Sequence, residues 1–506
     1  MISNPYIESY SNKEVPFKYR GRLYTFSLSH GLFSSAGIDA GSAFLLKVFS
    51  NYLDNAKFSI VPAPAELSEE LPVKILDSGC GVGVLGICAV GALSDLISKG
   101  GAEKAGCHGF LVRSQDRDEL ARLFTEYNAA VNGFTAECNT NEKSLEARTE
   151  PLLAGPSPWD LILCNIPAKA GLPVLEDFVR RSAGLLKKDG KVFLVAVNTL
   201  ADFFRSIITE AASIMAEETG KEHTVFVYAK QAVPGVNGDN TKKTHNSSSI
   251  QDSPVVINDN FPANYPFYIR NSSEYEMEGI SYHMDTVYGA PDFDSPNGAV
   301  QAAARLALKI DLSLKLEEAI QKDDSSENTA TGKAGLLIHD AGQGHFALWL
   351  SYYLGQELSA ANQLYVKKLH FAARRQMVLS GRNIVALAAA RENLNRNFPD
   401  TTLTIIPSAD IFLDRERLTA GLAAAFANNR ENCYNLIGFF PETVPETDRR
   451  ETSWEALSFL SAPGGIVITG LNSMEAERFD RKKPRGFTRL ADIKRKGFRA
   501  AAYRRS

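Results

Sequence analysis

Short runs of apolar residues alternate along this chain with longer stretches in which apolar positions recur every three to four residues. The strand-length runs are VKILD, GFLVRSQ, WDLILCN and KVFLVAV in the first half, and AGLLIHD, LHFAARR, TLTIIPS, YNLIGFF and GGIVITG in the second. Runs this apolar, separated by helical stretches, predict strands buried on both faces of a parallel sheet and joined by crossover helices. The pattern lapses between Lys230 and Asn264, where VPGVNGDNTKKTHNSSSIQDSPVVINDN is rich in Asn, Ser, Gly, Asp and Pro; this predicts a linker. A shorter polar stretch, KDDSSENTATGK at 322–333, is expected as an internal loop. The expected organisation is a doubly wound α/β domain over 1–230, a flexible polar linker over 231–264 and a second α/β domain over 265–506.

The halves also read as copies of one another. Phe33 is followed six residues later by Asp39, and Tyr288 six residues later by Asp294. DSGCGVG from Asp77 aligns with DAGQGHF from Asp340, and WDLILCNIP aligns with YNLIGFFPE. VAVNTLADFF aligns with ITGLNSMEAERF, setting Asn198 against Asn472. The same order in both halves predicts a tandem duplication.

Composition narrows the class. A chain of 506 residues, 44% hydrophobic and 23% charged with a formal charge of -4, exceeds one hydrophobic core and excludes fibrous or wholly disordered proteins. The six cysteines (80, 88, 107, 138, 164, 433) contain no CxxC pair, so reduced core thiols are expected, and no metal site. MISNPYIESYSNKE has neither a basic nor an apolar leader region, and no apolar stretch is long enough to span a bilayer. A cytoplasmic protein without a membrane partner is expected; the oligomeric state stays open, with a monomer as the default. From Arg478 to Ser506 there are twelve Lys or Arg against two Asp, a local net of +10. Such a block suits a polyanion or serves as a solvated tail, and its interleaved Phe487, Phe498 and Tyr503 suit either RNA contact or the core of the last strands.

The chemistry concentrates in the first half. ILDSGCGVGVLG, 75–86, reads as a strand ending in Asp77, then Gly79, Gly81 and Gly83 opening a helix. Such a turn lets a ligand approach backbone unobstructed by Cβ atoms, with a helix N-terminus behind it. This D-x-G-x-G-x-G resembles the S-adenosylmethionine loop of class I methyltransferases. The next strand ends at Asp116, placed to accept from both ribose hydroxyls of an adenosyl group; its structural alternative is a helix cap. A later strand ends in NIPA, 165–168, which resembles the N-P-P-F/Y tip of methyltransferases acting on amino groups. An exocyclic amine's lone pair is delocalised into its ring. Two acceptors, the Asn165 side-chain oxygen and a backbone carbonyl near Pro167, would hold its N–H bonds so that the lone pair faces the methyl group.

Together with HGLFSSAGIDAGSAFLLKVF, 30–49, these motifs resemble the small methyltransferase domain of the tandem-domain ribosomal RNA guanine-N2 methyltransferases (the RsmC and RlmG type), over about residues 30 to 200. The resemblance implies two tandem Rossmann-like methyltransferase domains, the second degenerate. It implies Asn165 and Pro167 as catalytic; Asp39, Ser42, Asp77, Gly79, Gly81, Gly83 and Asp116 as cofactor-binding; and S-adenosylmethionine as cofactor. It also implies ribosomal or other structured RNA as partner, met by Lys169, Arg481, Lys482, Lys483, Arg485, Lys494, Arg495 and Lys496. Degeneracy of the second half is read from Phe346 at the third glycine, Gly381 or Ser380 at the ribose acid, and Phe440-Pro441-Glu442 at the tip. The sequence departs from the family in three respects: the domain order is exchanged, Ile166 replaces a proline, and Ala168 replaces the aromatic that stacks on a flipped base, a contact of ~1–3 kcal/mol. Two other functions stay open: methylation of a protein glutamine amide, and non-catalytic RNA or ribosome binding with a vestigial cofactor loop.

Overall fold

The computed structural model describes residues 4–54, 73–100, 110–134, 144–154, 158–231, 268–291, 294–323, 334–356, 375–426 and 434–506. The linker expected at 231–264, past Gln231, and most of the loop expected at 322–333 lie outside the described residues, as do the first six residues of LHFAARR; the strand there begins at Arg375.

Each half opens with an antiparallel hairpin: β1 (Lys13–Tyr19) with β2 (Arg22–Leu28), and β10 (Ile269–Met277) with β11 (Ile280–Val287). A seven-stranded sheet follows in each. The first comprises β3 (Val73–Ser78), β4 (Phe110–Asp116), β5 (Ser144–Thr149), β6 (Trp159–Asn165), β7 (Leu186–Val197), β8 (Ser213–Thr219) and β9 (His223–Ala229), in the order β5-β4-β3-β6-β7-β9-β8. The second comprises β12 (Ala334–His339), β13 (Arg375–Gly381), β14 (Thr402–Pro407), β15 (Tyr434–Phe439), β16 (Ser461–Asn472), β17 (Phe487–Arg495) and β18 (Phe498–Arg505), in the order β14-β13-β12-β15-β16-β18-β17. The two orders are identical position for position, and in each the last strand of that half, β9 or β18, inserts next to the edge and runs antiparallel to both its neighbours. Every residue of β6 up to Cys164 is buried, which is why that run carries no polar alternation. Winding reverses between β3 and β6, and a doubly wound sheet opens a crevice for ligands at that point.

Backbone hydrogen bonds set the duplication's register and shift most of the sequence alignment. Gly79 and Cys80 donate to the Gln115 carbonyl as Asp340 and Ala341 donate to that of Ser380. Asp340 therefore stands at Gly79, Ile338 at Asp77, Gly344 at Gly83 and Gly381 at Asp116. Phe346 is not the third glycine's substitute: it lies in the helix His345–Gln356 and packs in the second core. Asn297, which caps the helix Gly298–Lys309, matches Asp39; Asp294 instead pairs with Arg270 and Thr286. Asn472 caps the next helix and stands opposite Val197, one residue short of Asn198. The β6–β15 alignment holds as read.

Two asparagines in each half fasten the hairpin to the sheet's second crossover helix. Asn128 accepts from Ser27 N–H at 2.8 Å and donates to the Ser27 and Val82 carbonyls at 3.1 and 2.9 Å. Asn393 does the same for Asp285 and Gln343. Asn132 and Asn397, one turn later, bond Thr25 and His283.

The basic C-terminal block is not a tail. It contains the end of the helix Ser473–Arg481 and the edge hairpin β17–β18, with Phe487 and Tyr503 in the core and Phe498 half-buried.

Asn128 is fully buried, so Asn128→Ala strands the Ser27 and Val82 backbone groups without partners. A loss of about 3 kcal/mol is expected, read from the urea midpoint at unchanged slope.

Candidate active site

Gly79 and Gly81 hold φ of +74° and +56°, a region that favours glycine. A Cβ at Gly81 would meet nothing within 4 Å and one at Gly79 only Leu152 at 3.5 Å, so the turn presents open backbone. Gly83 differs from the expectation of ligand contact: a Cβ there would lie 2.9 Å from Thr125 Cγ2, and its bareness lets the helix Glu119–Val131 close on the turn.

Asp77 is fully buried beneath this turn. Its Oδ2 accepts from Gly86 N–H at 2.8 Å, while Oδ1 has no partner among the described residues. Burial pushes its carboxyl up to about 7, against the opposing pull of the Gly86 N–H. Asp116 ties the turn to the tip of β4: Oδ2 accepts from Gly81 N–H and Oδ1 from Asp118 N–H, both at 3.0 Å. Burial, reinforced by the neighbouring Asp118 carboxylate, holds Asp116 above the usual carboxylate range. The helix cap that the sequence offered as the alternative role of Asp116 is Asp118, which accepts from Leu120 N–H at 2.9 Å.

Asn165 ends β6 at the same edge. Its Nδ2 donates to Asp39 Oδ2 at 2.7 Å and to Ser42 Oγ at 3.0 Å, and Ser42 N–H donates to the same Asp39 oxygen at 2.9 Å. A carboxylate only accepts, so the amide nitrogen faces Asp39 and Oδ1 is turned away as an acceptor. Asp39 and Ser42, expected at the cofactor, are thus the groups that orient Asn165. They line one small cavity of about 50 Å³ with Phe33, Gly79, Gly81 and Asn165 itself.

Pro167, at φ -65°, is exposed, and its carbonyl closes a short turn by accepting from Ala170 N–H at 2.9 Å. The backbone acceptor near Pro167 that lies next to Asn165 along the chain is therefore the Ile166 carbonyl. The Ile166 side chain is buried in a core cluster with Leu76, Ile162 and Val174 and anchors the turn. Ala168 and Lys169 are exposed beside it. Phe33, 71% exposed in the same cavity, is read from the sequence only as a landmark of the duplication and of the 30–49 motif, not as a site residue.

The second half cannot repeat this arrangement. Phe440 replaces Asn165 and packs on Phe346 with ring centres 4.9 Å apart. A cavity of about 550 Å³ does lie at its strand tips, lined by His339, Asp340, Arg382, Glu442, Arg449 and Asn472 among others, but with no counterpart of Asn165. Of the basic residues, Lys482 pairs with Glu451, Arg495 with Glu278, and Lys483 donates to the Phe487 carbonyl. Arg481, Arg485, Lys494 and Lys496 are exposed and make no ion pair among the described residues. No metal-binding cluster occurs among the described residues, and no helix there is long and apolar enough to cross a membrane.

The strand order and the crevice define the fold of the class I S-adenosylmethionine-dependent methyltransferases, present twice. The 16S rRNA N2 methyltransferase RsmC of T. thermophilus, in complex with AdoMet and guanosine, shares that fold over 99% of this chain and 100% of its own, with TM-score 0.51 and 14% identity. In sequence, the uncharacterized protein YbxB of Bacillus subtilis (strain 168) is 26% identical over 186 residues, 37% of this chain and 75% of that protein. No family model matches the chain.

The raised Asp77 carboxyl has a sign that can be measured. Unfolded, it releases its proton near 3.8; folded, near 7, so its contribution to stability is fullest below about pH 4 and declines as pH rises to about 7. Asp77→Asn should gain stability relative to wild type across that window in urea titrations; a pH-independent difference would show that the folded carboxyl ionises normally.

Proposed function

We propose that the chain is an S-adenosylmethionine-dependent N-methyltransferase acting on an exocyclic amine of a base in ribosomal or other structured RNA, with the first half catalytic. The observation that carries this is Asn165, whose amide is oriented by Asp39 and Ser42 so that its oxygen is presented beside the glycine turn. The open Gly79–Gly81 turn, the partnerless Asp77 oxygen and Asp116 at the tip of β4 fit an adenosyl ligand with an amino-acid end. That cofactor supplies an activated methyl group; the residues of this chain hold the acceptor. Asn165 Oδ1 and the Ile166 carbonyl take the amine's N–H bonds, freeing its lone pair from the ring. Because Asn165 donates to a carboxylate, its oxygen becomes a stronger acceptor and stabilises the positive charge that develops on the amine. No strong general base is required.

RNA contact falls to Arg481, Arg485, Lys494 and Lys496, whose charges are not spent on internal pairs, and to Lys169 beside the tip. Ala168 offers no ring to a flipped base, which favours a protein side-chain amide as the second reading.

Labelled methyl offered to deproteinised ribosomal RNA, intact subunits and protein fractions separates these. Label should enter RNA and fall about 10²- to 10³-fold with Asn165→Ala; label confined to protein would move the substrate to the amide, and none at all would end the enzymatic reading. Replacing Arg481, Arg485, Lys494 and Lys496 by Ala should reduce the slope of log affinity against log salt by roughly three, whereas an unchanged slope would place the RNA elsewhere.

A further inference from the structure

We infer that Arg382, a residue of the second half, is a positioning residue of the first half's methyl-transfer site; the inference rests on the function proposed above. Its guanidinium, only 10% exposed, donates from Nη2 to the Gly31 carbonyl at 2.8 Å and to Asp118 Oδ2 at 2.5 Å, and from Nε to Asp118 Oδ1 at 3.1 Å. Gly31 opens the loop that carries Phe33 and Asp39 and leads into the helix Ala40–Asp54, whose first turn holds Ser42. Asp118 lies two residues beyond Asp116, and its N–H is held by Asp116 Oδ1. One planar fork therefore fixes the separation between the loop that orients Asn165 and the strand tip that carries Asp116, a geometry that suits arginine and not lysine. The fit is close: a Cβ at Gly31 would lie 3.2 Å from Arg382 Nη1. Tyr288, also from the second half, braces the Asn165 turn from the other side, since a Cβ at Gly171 would come within 2.4 Å of its ring.

The duplication supplies an internal control. Arg117 is the first half's counterpart of Arg382, as Asn383 is of Asp118 and Gly289 of Gly31. There the backbone bonds are kept, Asn383 donates to the Gly289 carbonyl at 2.7 Å and Arg117 lies against Gly289 as Arg382 does against Gly31, but Arg117 is exposed and makes no ion pair among the described residues. The charged fork exists only on the side that holds Asn165. A device needed merely to join the halves has no reason to be one-sided.

The test compares the full-length wild type, Arg382→Ala, Arg382→Lys and Tyr10→Phe; the last removes a different bond between the halves, from Tyr10 to Asp410 at 2.6 Å. Amide hydrogen exchange over residues 31–39 is measured without cofactor, alongside S-adenosylmethionine affinity by calorimetry and the melting temperature. For Arg382→Ala, exchange in the loop and the dissociation constant should each rise about tenfold. Arg382→Lys should recover part of both, and Tyr10→Phe should change neither even where it lowers the melting temperature. Equal effects from Tyr10→Phe, or an unaltered loop in Arg382→Ala, overturn the assignment. Failure of the wild type to bind the cofactor counts against the proposed function instead, and the exchange data still decide the role of Arg382.

Discussion

Asp118 and Asn383 form an antiparallel bridge on which the rest of the molecule is arranged. On either side of it, Glu119 N–H donates to the Arg382 carbonyl at 3.0 Å and Ile384 N–H to the Arg117 carbonyl at 2.9 Å. These are equivalent residues of the two copies, exchanging equivalent bonds across a local two-fold. That is the form of an isologous contact, as in a symmetric dimer, here made within one chain. Apolar packing continues it: Ile384, Val385 and Ala389 join the cluster of Leu76, Ile162 and Val174, while Ala409 joins the first half's other core. Tyr6 and Tyr10 reach Asp414 and Asp410 at 2.8 and 2.6 Å. The halves are not beads on a string, and the loops around Asn165 are built against the seam.

At two positions that are polar in the first copy, the second copy carries a group that packs. A buried carboxylate without full compensation opposes folding; Ile338 takes the place of Asp77. Phe440 takes the place of Asn165 and fills the space above Gly470, where a Cβ would sit 2.6 Å from its ring. Asp340 survives in sequence but occupies the Gly79 position at φ +56°, a conformation that aspartate tolerates better than most residues, and its carboxylate accepts from Glu442 N–H at 3.2 Å. It closes the turn onto the neighbouring strand tip, where the first copy leaves that turn open.

What the sequence disclosed follows from which forces are local. Strands buried on both faces are continuous apolar runs, and a turn at positive φ asks for glycine, so β3, β6 and the Gly79–Gly83 turn were legible. The edge hairpins were not: β17 buries Phe487 and carries charge on half of its other positions, so its composition imitates a solvated tail. The register of the duplication was misread because the alignment followed acids, and Asp340 and Asp294 do not occupy the positions of Asp77 and Asp39. The better guide was N-x-x-x-N, Asn128 with Asn132 and Asn393 with Asn397, polar residues retained in both copies because each completes backbone bonds that nothing else reaches. The partnership of Asn165 with Asp39 spans 126 residues and is a tertiary fact with no local signature.

Yet the residue type at 165 could be read without its partners, for a reason they supply. The tip needs a donor facing Asp39 and an acceptor facing outward. Aspartate there would set two carboxylates side by side, and serine would have one short hydroxyl for two separated tasks. A planar amide carries both functions on opposite sides of one group, and asparagine holds it closer to the backbone than glutamine does. Where the second copy has Phe440, the position of Asp39 holds Asn297, whose oxygen accepts from Val300 N–H and caps a helix. Carboxylate and amide are absent together, as expected of two residues whose chemistry has meaning only as a pair.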